Sequence, residues 1–173
     1  MKLIMIYDQI QSGLGTKDDK MLPLGATRDT VGPAVMMEQY LKQADARVLA
    51  TLYCGNGTFK ADPDEVARKL VAMSHKLGAD CVICGPAFNY ADYAEMCARV
   101  AADINAAGKI CALAAMSEEN AETIEKYREL TPIVKTPEKG GLGLNDSLKN
   151  MVLLARAMVD GDDTSELKAK ACF

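Results

Sequence analysis

The feature that most constrains this chain is the run Cys81-Val82-Ile83-Cys84, followed at once by Gly85-Pro86 and then by helical spacing from Ala91 to Ala107. Four apolar residues with no polar alternation describe a strand buried on both sides. Pro86 has no backbone donor and fixes its own φ, so the strand ends there and the chain turns. Phe88, Asn89 and Tyr90 then fall between a strand's carboxyl end and the mouth of a helix, where open α/β sheets hold their ligands.

The rest of the chain repeats that unit. Leu3 to Tyr7 reads as a first buried strand ending at Asp8-Gln9, and Arg47 to Tyr53 as a second ending in Cys54-Gly55-Asn56-Gly57-Thr58-Phe59. After the central strand, Ile110 to Met116 and Pro132 to Thr136 read as a fourth and a fifth. Pro33 opens a helix running through Leu41, and Asp62 caps a second that carries Asp64 and Glu65 in its first turn and closes at Gly78. Gly108 stops the third, and Ala121 to Leu130 and about Asp146 to Val159 supply two more. Strands and helices joined by crossovers predict an α/β fold with a single doubly wound, flavodoxin-like five-stranded parallel sheet of order 2-1-3-4-5 over residues 1–160.

Two stretches stand outside that pattern. Residues 161–173 read as a polar, acidic C-terminal tail without a partner. Ile10 to Gly32 is long and polar, punctuated by Pro23 and Gly25, which is the length of a functional or mobile loop. Its Met21, Leu22 and Leu24 have no evident place in a core, so they are expected to cover the crevice or contact another subunit, and a homo-oligomer is expected.

Composition narrows the classes of function. The 173 residues, 49% hydrophobic and 25% charged, suffice for one domain with its own core. A net charge of -4 argues against nucleic acid or an anionic membrane as partner. No run approaches the ~18 apolar residues that span a bilayer, and Met1 to Tyr7 is too short for a signal-peptide core. A cytoplasmic location is therefore expected. Of the six cysteines, Cys54, Cys81, Cys84 and Cys111 lie in or at the ends of apolar runs, which suits reduced, buried thiols in an anaerobic or reducing cytosol. His75, the only histidine, falls on what reads as a solvated helix face, and no metal site is expected. Gly13-x-Gly15 and Gly141-x-Gly143 lack a following Lys-Ser or Lys-Thr, and no phosphate loop follows the first strand, so no cofactor is assigned to the chain.

The topology gathers the strand ends into one rim: Asp8 and Gln9, then Cys54 to Asn56, then Gly85 to Tyr90, then Ser117 to Asn120, then Lys135 and Thr136. Asn89 and Tyr90 at a helix N-terminus, with Lys135, are expected to face an anion, and Asp8, Glu118 and Glu119 supply acceptors on the same rim. Phe88 and Tyr93 are expected to wall the pocket. Gln9, Asn56 and Asn120 complete the binding set, although Asn is also an ordinary turn and cap residue. Cys54 is the candidate catalytic thiol, its pKa expected to be lowered by helix dipoles and Lys135; the other reading is a compact buried residue before a turn. Cys81-x-x-Cys84 is no redox motif, because odd spacing in a strand points the two to opposite faces.

Cys54-Gly55-Asn56-Gly57-Thr58-Phe59, Gly85-Pro86-Ala87-Phe88-Asn89-Tyr90-Ala91-Asp92-Tyr93, Glu118-Glu119-Asn120 and Ile133-Val134-Lys135-Thr136 occur in that order, with Val31-Gly32-Pro33 before them. In order and spacing this set resembles the amino-terminal domain of the selenoprotein B component of glycine, sarcosine and betaine reductases. The resemblance implies reductive cleavage of a carbon–nitrogen bond in a small amino acid or its N-methylated relative, with a pyruvoyl-containing partner subunit and a redox partner. For such a substrate it implies a carboxylate held by Asn89, Tyr90 and Lys135, a cationic nitrogen facing Asp8 and Glu118 or Glu119, and, where that nitrogen is methylated, attraction to the faces of Phe88 and Tyr93. It also implies that the redox-active selenocysteine or cysteine motif belongs to a carboxyl-terminal half absent from these 173 residues. Such a chain is an oxidoreductase subunit or domain that binds substrate while another chain supplies the thiol or selenol. The alternative is a non-catalytic, flavodoxin-like small-molecule binding or regulatory module.

Overall fold

In the computed structural model, which describes residues 1–173, the expected strands take the expected places and one more joins them. The strands are β1 (Lys2–Tyr7), β2 (Gly25–Thr27), β3 (Arg47–Tyr53), β4 (Cys81–Cys84), β5 (Cys111–Ser117) and β6 (Ile133–Thr136). They form one sheet of order β2-β3-β1-β4-β5-β6. The five strands read from sequence keep their order and run parallel. The all-parallel, five-stranded expectation is nevertheless corrected, because β2 adds an antiparallel edge against β3, with Gly25 opposite Tyr53 and Thr27 opposite Thr51. A three-residue strand carries no readable periodicity, which is why it was hidden inside the long loop.

Period-two alternation splits the core into two layers. Ile4, Ile6, Leu52, Val82, Cys84 and Met116 face one side. There they meet α3 (Asn56–Ala61), α4 (Pro63–Leu77), α5 (Ala91–Ala107) and α6 (Ala121–Tyr127) through Phe59, Leu70, Met96 and Tyr127. Leu3, Met5, Tyr7, Cys81, Ile83 and Val134 face the other. That layer is closed by α1 (Pro33–Met36), α2 (Glu38–Gln43) and α7 (Leu144–Asp160) through Ala34, Leu41 and Met151. All four residues of β4 are buried, and Cys81 and Cys84 do point to opposite layers.

Local signals also hold. Asp62 caps α4 by accepting from the Glu65 amide at 3.2 Å, and α4 and α5 close at Gly78 and Gly108. Three readings change. The stretch after Gly161 folds into α8 (Ser165–Ala171), and Cys172 bridges Val134 while the Phe173 amide donates to the Ile133 carbonyl at 3.1 Å. The polar tail thus finds its partner on the outer edge of β6, where unpaired backbone groups are available. His75 is half-buried rather than solvated, and its Nε2 is enclosed without a hydrogen-bond partner. Tyr93 is fully buried in the core and donates to the Ile6 carbonyl at 2.9 Å, so it cannot wall a pocket. No helix is long and apolar enough to cross a membrane.

Candidate functional site

The carboxyl ends of β1 and β4 flank the point where strand order reverses, and a cavity of about 420 Å³ opens there. Gln9 and Ile10 after β1, Asn56 at the start of α3, and Asn89 to Asp92 at the start of α5 line it, together with Lys17, Asp18 and Lys20. The first turn of α5 has no side-chain cap, so its free amides and positive dipole end face the cavity. Of the charged lining groups, Asp92 is paired to Lys60 at 2.9 Å, whereas Lys17, Asp18 and Lys20 form no ion pair and are exposed. The cavity therefore offers both signs of charge on one wall.

Sequence reading missed those three loop residues as site residues. Their placement follows from a clamp between the long loop and the start of α3. The Lys20 carbonyl accepts from the Gly57 and Thr58 amides at 2.8 and 3.1 Å, and the Leu22 carbonyl accepts from the Gly55 amide at 2.9 Å. A Cβ on Gly55 would lie 2.1 Å from the Lys20 carbonyl oxygen, so no other residue permits this approach. The two glycines of Cys54-Gly55-Asn56-Gly57 were the available signal. Of the apolar residues in the loop, Leu24 packs on the core and Leu22 is half-buried, while Met21 stays exposed.

Asp8 lies beneath the cavity instead of lining it. It is fully buried; its Oδ1 accepts from the Ile10 and Gln11 amides at 3.0 and 2.7 Å, and its Oδ2 from Asn56 Nδ2 at 3.3 Å. Burial pushes its carboxyl pKa above the ordinary value despite those donors. Gln9 Oε1 accepts from the Asn56 amide at 3.0 Å, and Asn56 Oδ1 is enclosed without a partner. Asp8 and Gln9 thus hold the loop and Asn56 in place.

The remaining rim residues separate. Asn120 donates from Nδ2 to the Phe88 carbonyl and, at 3.2 Å, to the Ser117 carbonyl, which ties the ends of β4 and β5 together. Phe88, held at a φ of +31, does not line the cavity. Glu118, Glu119 and Lys135 surround a second cavity of about 460 Å³ with Thr136 and Phe173. The expected shared pocket for Lys135 and Asn89 is therefore corrected. β6 lies two strands from β4, roughly 10 Å away, and Lys135 Nζ instead sits 5.5 Å from the Phe173 ring. The cation near Tyr90 is Lys139, 3.1 Å from its hydroxyl and 5.6 Å from its ring centre.

Cys54 is fully buried, its thiol pointing to the Gly55 carbonyl at 3.5 Å. Burial pushes its pKa up to about 11, the reverse of the expected lowering, and Lys135 lines a different cavity. At neutral pH it is a thiol enclosed by protein rather than a thiolate facing a ligand.

Comparison with known proteins matches residues 1–172 to the family described as glycine/sarcosine/betaine reductase selenoprotein B. The glycine reductase complex component B subunit gamma of Symbiobacterium thermophilum is 24% identical over 94% of this chain and 37% of that protein. The protein of the same description from Carboxydothermus hydrogenoformans is 26% identical over 77% of this chain and 30% of its own length. The sarcosine reductase complex component B subunit beta of Peptoclostridium acidaminophilum is 23% identical over 94% of this chain and 36% of that protein. The chain spans little more than a third of the length of these relatives. No solved structure matches it significantly. A match from the first residue to the last but one, across every strand of the sheet, leads to one conclusion: the chain belongs to the glycine/sarcosine/betaine reductase selenoprotein B family.

Proposed function

We propose that this chain supplies the substrate pocket of a glycine/sarcosine/betaine reductase-like complex, binding a small amino acid or its N-methylated relative for reductive cleavage of a carbon–nitrogen bond. The thiol or selenol and the pyruvoyl chemistry reside on other segments or subunits. The observation that carries the reading is the two-signed cavity of about 420 Å³ against the uncapped start of α5. Helix amides with Lys17 or Lys20 suit a carboxylate, Asp18 suits an ammonium, and Asn89 is placed to orient either. For a methylated nitrogen, the ring of Tyr90 offers cation–π attraction in place of lost hydrogen bonds, the ligand's cation taking the position that Lys139 holds in this structure, 5.6 Å from the ring centre. Family membership and relatives described as subunits of glycine and sarcosine reductase complexes support the same reading.

Calorimetric titration with glycine, sarcosine and betaine tests it. The wild type binds one of them, and Asn89→Ala and Lys20→Ala each weaken binding about tenfold, or ~1.4 kcal/mol, while Lys135→Ala leaves it unchanged. A wild type that binds none of the three even with partner subunits present overturns the proposal and leaves the non-catalytic small-molecule module.

A further inference from the structure

Cys81 and Cys111 are the first residues of β4 and β5 and stand opposite each other in the register of that parallel pair. Neighbouring strands lie about 4.8 Å apart, inside the window of about 4.4–6.8 Å between Cα atoms that a disulfide spans. Both side chains project into the layer closed by α7, so the two thiols are neighbours across the ladder. Each otherwise reaches only a backbone carbonyl through a long contact, Cys111 to Asp80 at 3.6 Å and Cys81 to Val82 at 3.8 Å. The neighbour of Cys81 is therefore across the ladder, not three residues along the chain.

Access differs between the two sulfurs. Cys81 is fully buried, whereas Cys111 is partly exposed and lines a cavity of about 450 Å³ at the amino-terminal end of the sheet, beside Asp80, Lys109 and Met158. Hydrogen bonding with Cys81 holds the Cys111 thiol below its ordinary pKa, and the same bond, then burial, pushes Cys81 up. An accessible attacking sulfur backed by an enclosed resolving one is what thiol–disulfide exchange needs. Cys84 and Cys97 share the opposite layer, but both are wholly enclosed.

We propose that Cys81 and Cys111 form a dithiol/disulfide site that exchanges with low-molecular-weight disulfides entering the cavity beside Lys109. The Cys111 thiolate attacks one sulfur of the small disulfide; that S–S bond breaks, a mixed disulfide forms, and the released thiolate takes up a proton. Cys81, its proton passing to the second leaving thiolate, then attacks Cys111 Sγ and expels that thiol. Two electrons and two protons leave the protein: a dithiol and a small disulfide become a protein disulfide and two small thiols. The site lies at the end of the sheet away from the amino-acid cavity and does not depend on what that cavity binds.

The test incubates the folded chain with oxidised glutathione, then denatures, alkylates and weighs it. Alkylatable thiols fall from the six of the reduced chain to four, six less the two joined, with peptide mapping linking Cys81 to Cys111. Cys81→Ala stops at one glutathione adduct on Cys111. Cys111→Ser keeps alkylatable all five thiols that remain of the six. The proposal is overturned by a wild type that keeps six free thiols, joins other cysteines, or retains an adduct on Cys111 that Cys81 never displaces.

Discussion

Asp8 shows what a sequence conceals at the scale of one residue. Its position after the first strand is readable, but its complete burial depends on the loop that folds over it. Because its native pKa is raised above that of the unfolded chain, the folded state holds the proton more tightly. The associated stability is fully present below the unfolded value and is lost as pH rises through the folded one. Asp8→Asn removes that loss while an amide oxygen still accepts from Ile10 and Gln11, and its NH2 can donate to the unpaired Asn56 Oδ1 after a flip of that side chain. Urea unfolding from pH ~3.5 to ~7 is expected to show a flatter profile for Asp8→Asn and stability at neutral pH at least equal to the wild type; a loss above about 1 kcal/mol there contradicts this account. Cys54 teaches the same lesson. Its strand-end position was visible, but the enclosure that raises its pKa was not. Asn120 is legible as a rim residue, yet its amide serves the backbone: Asn120→Ala leaves the part-buried Phe88 carbonyl and the buried Ser117 carbonyl short of a donor and is expected to cost about 1–3 kcal/mol by chemical denaturation.

Among the elements, those with strong periodicity or a capping signal were readable, such as β4, α4 behind Asp62, and α5 between its turn and Gly108. β2 and α8 were not. Three residues on an edge and a short polar helix owe their structure to a neighbouring edge, β3 in one case and β6 in the other, and that neighbour is absent from local sequence. The long loop stands out in the sequence by its length alone. Its course became explicable only through Gly55, whose missing Cβ admits the Lys20 carbonyl. Gly55→Ala is expected to displace residues 16–22, costing about 1–3 kcal/mol of stability and exposing that segment to limited proteolysis. Wild-type resistance in this variant would show that the clamp does not hold the loop.

For the whole molecule, strand order decides which rim residues can act together. The sequence gathered them into a single rim; the sheet sorts them into two cavities, because β6 stands three strands from β1, roughly 14 Å away. Gln9, Asn56, Asn89 and Tyr90 remain together at the strand-order reversal, and Lys17, Asp18 and Lys20 join them from the loop. Glu118, Glu119 and Lys135 belong to the other cavity. The first of these is the proposed amino-acid site. Amide-resolved NMR of the chain during titration with glycine, sarcosine or betaine measures this directly. The account predicts saturable shifts at Gln9, Lys20, Asn56 and Ala91, with Glu118, Thr136 and Gly141 unmoved; shifts confined to the latter group would contradict it.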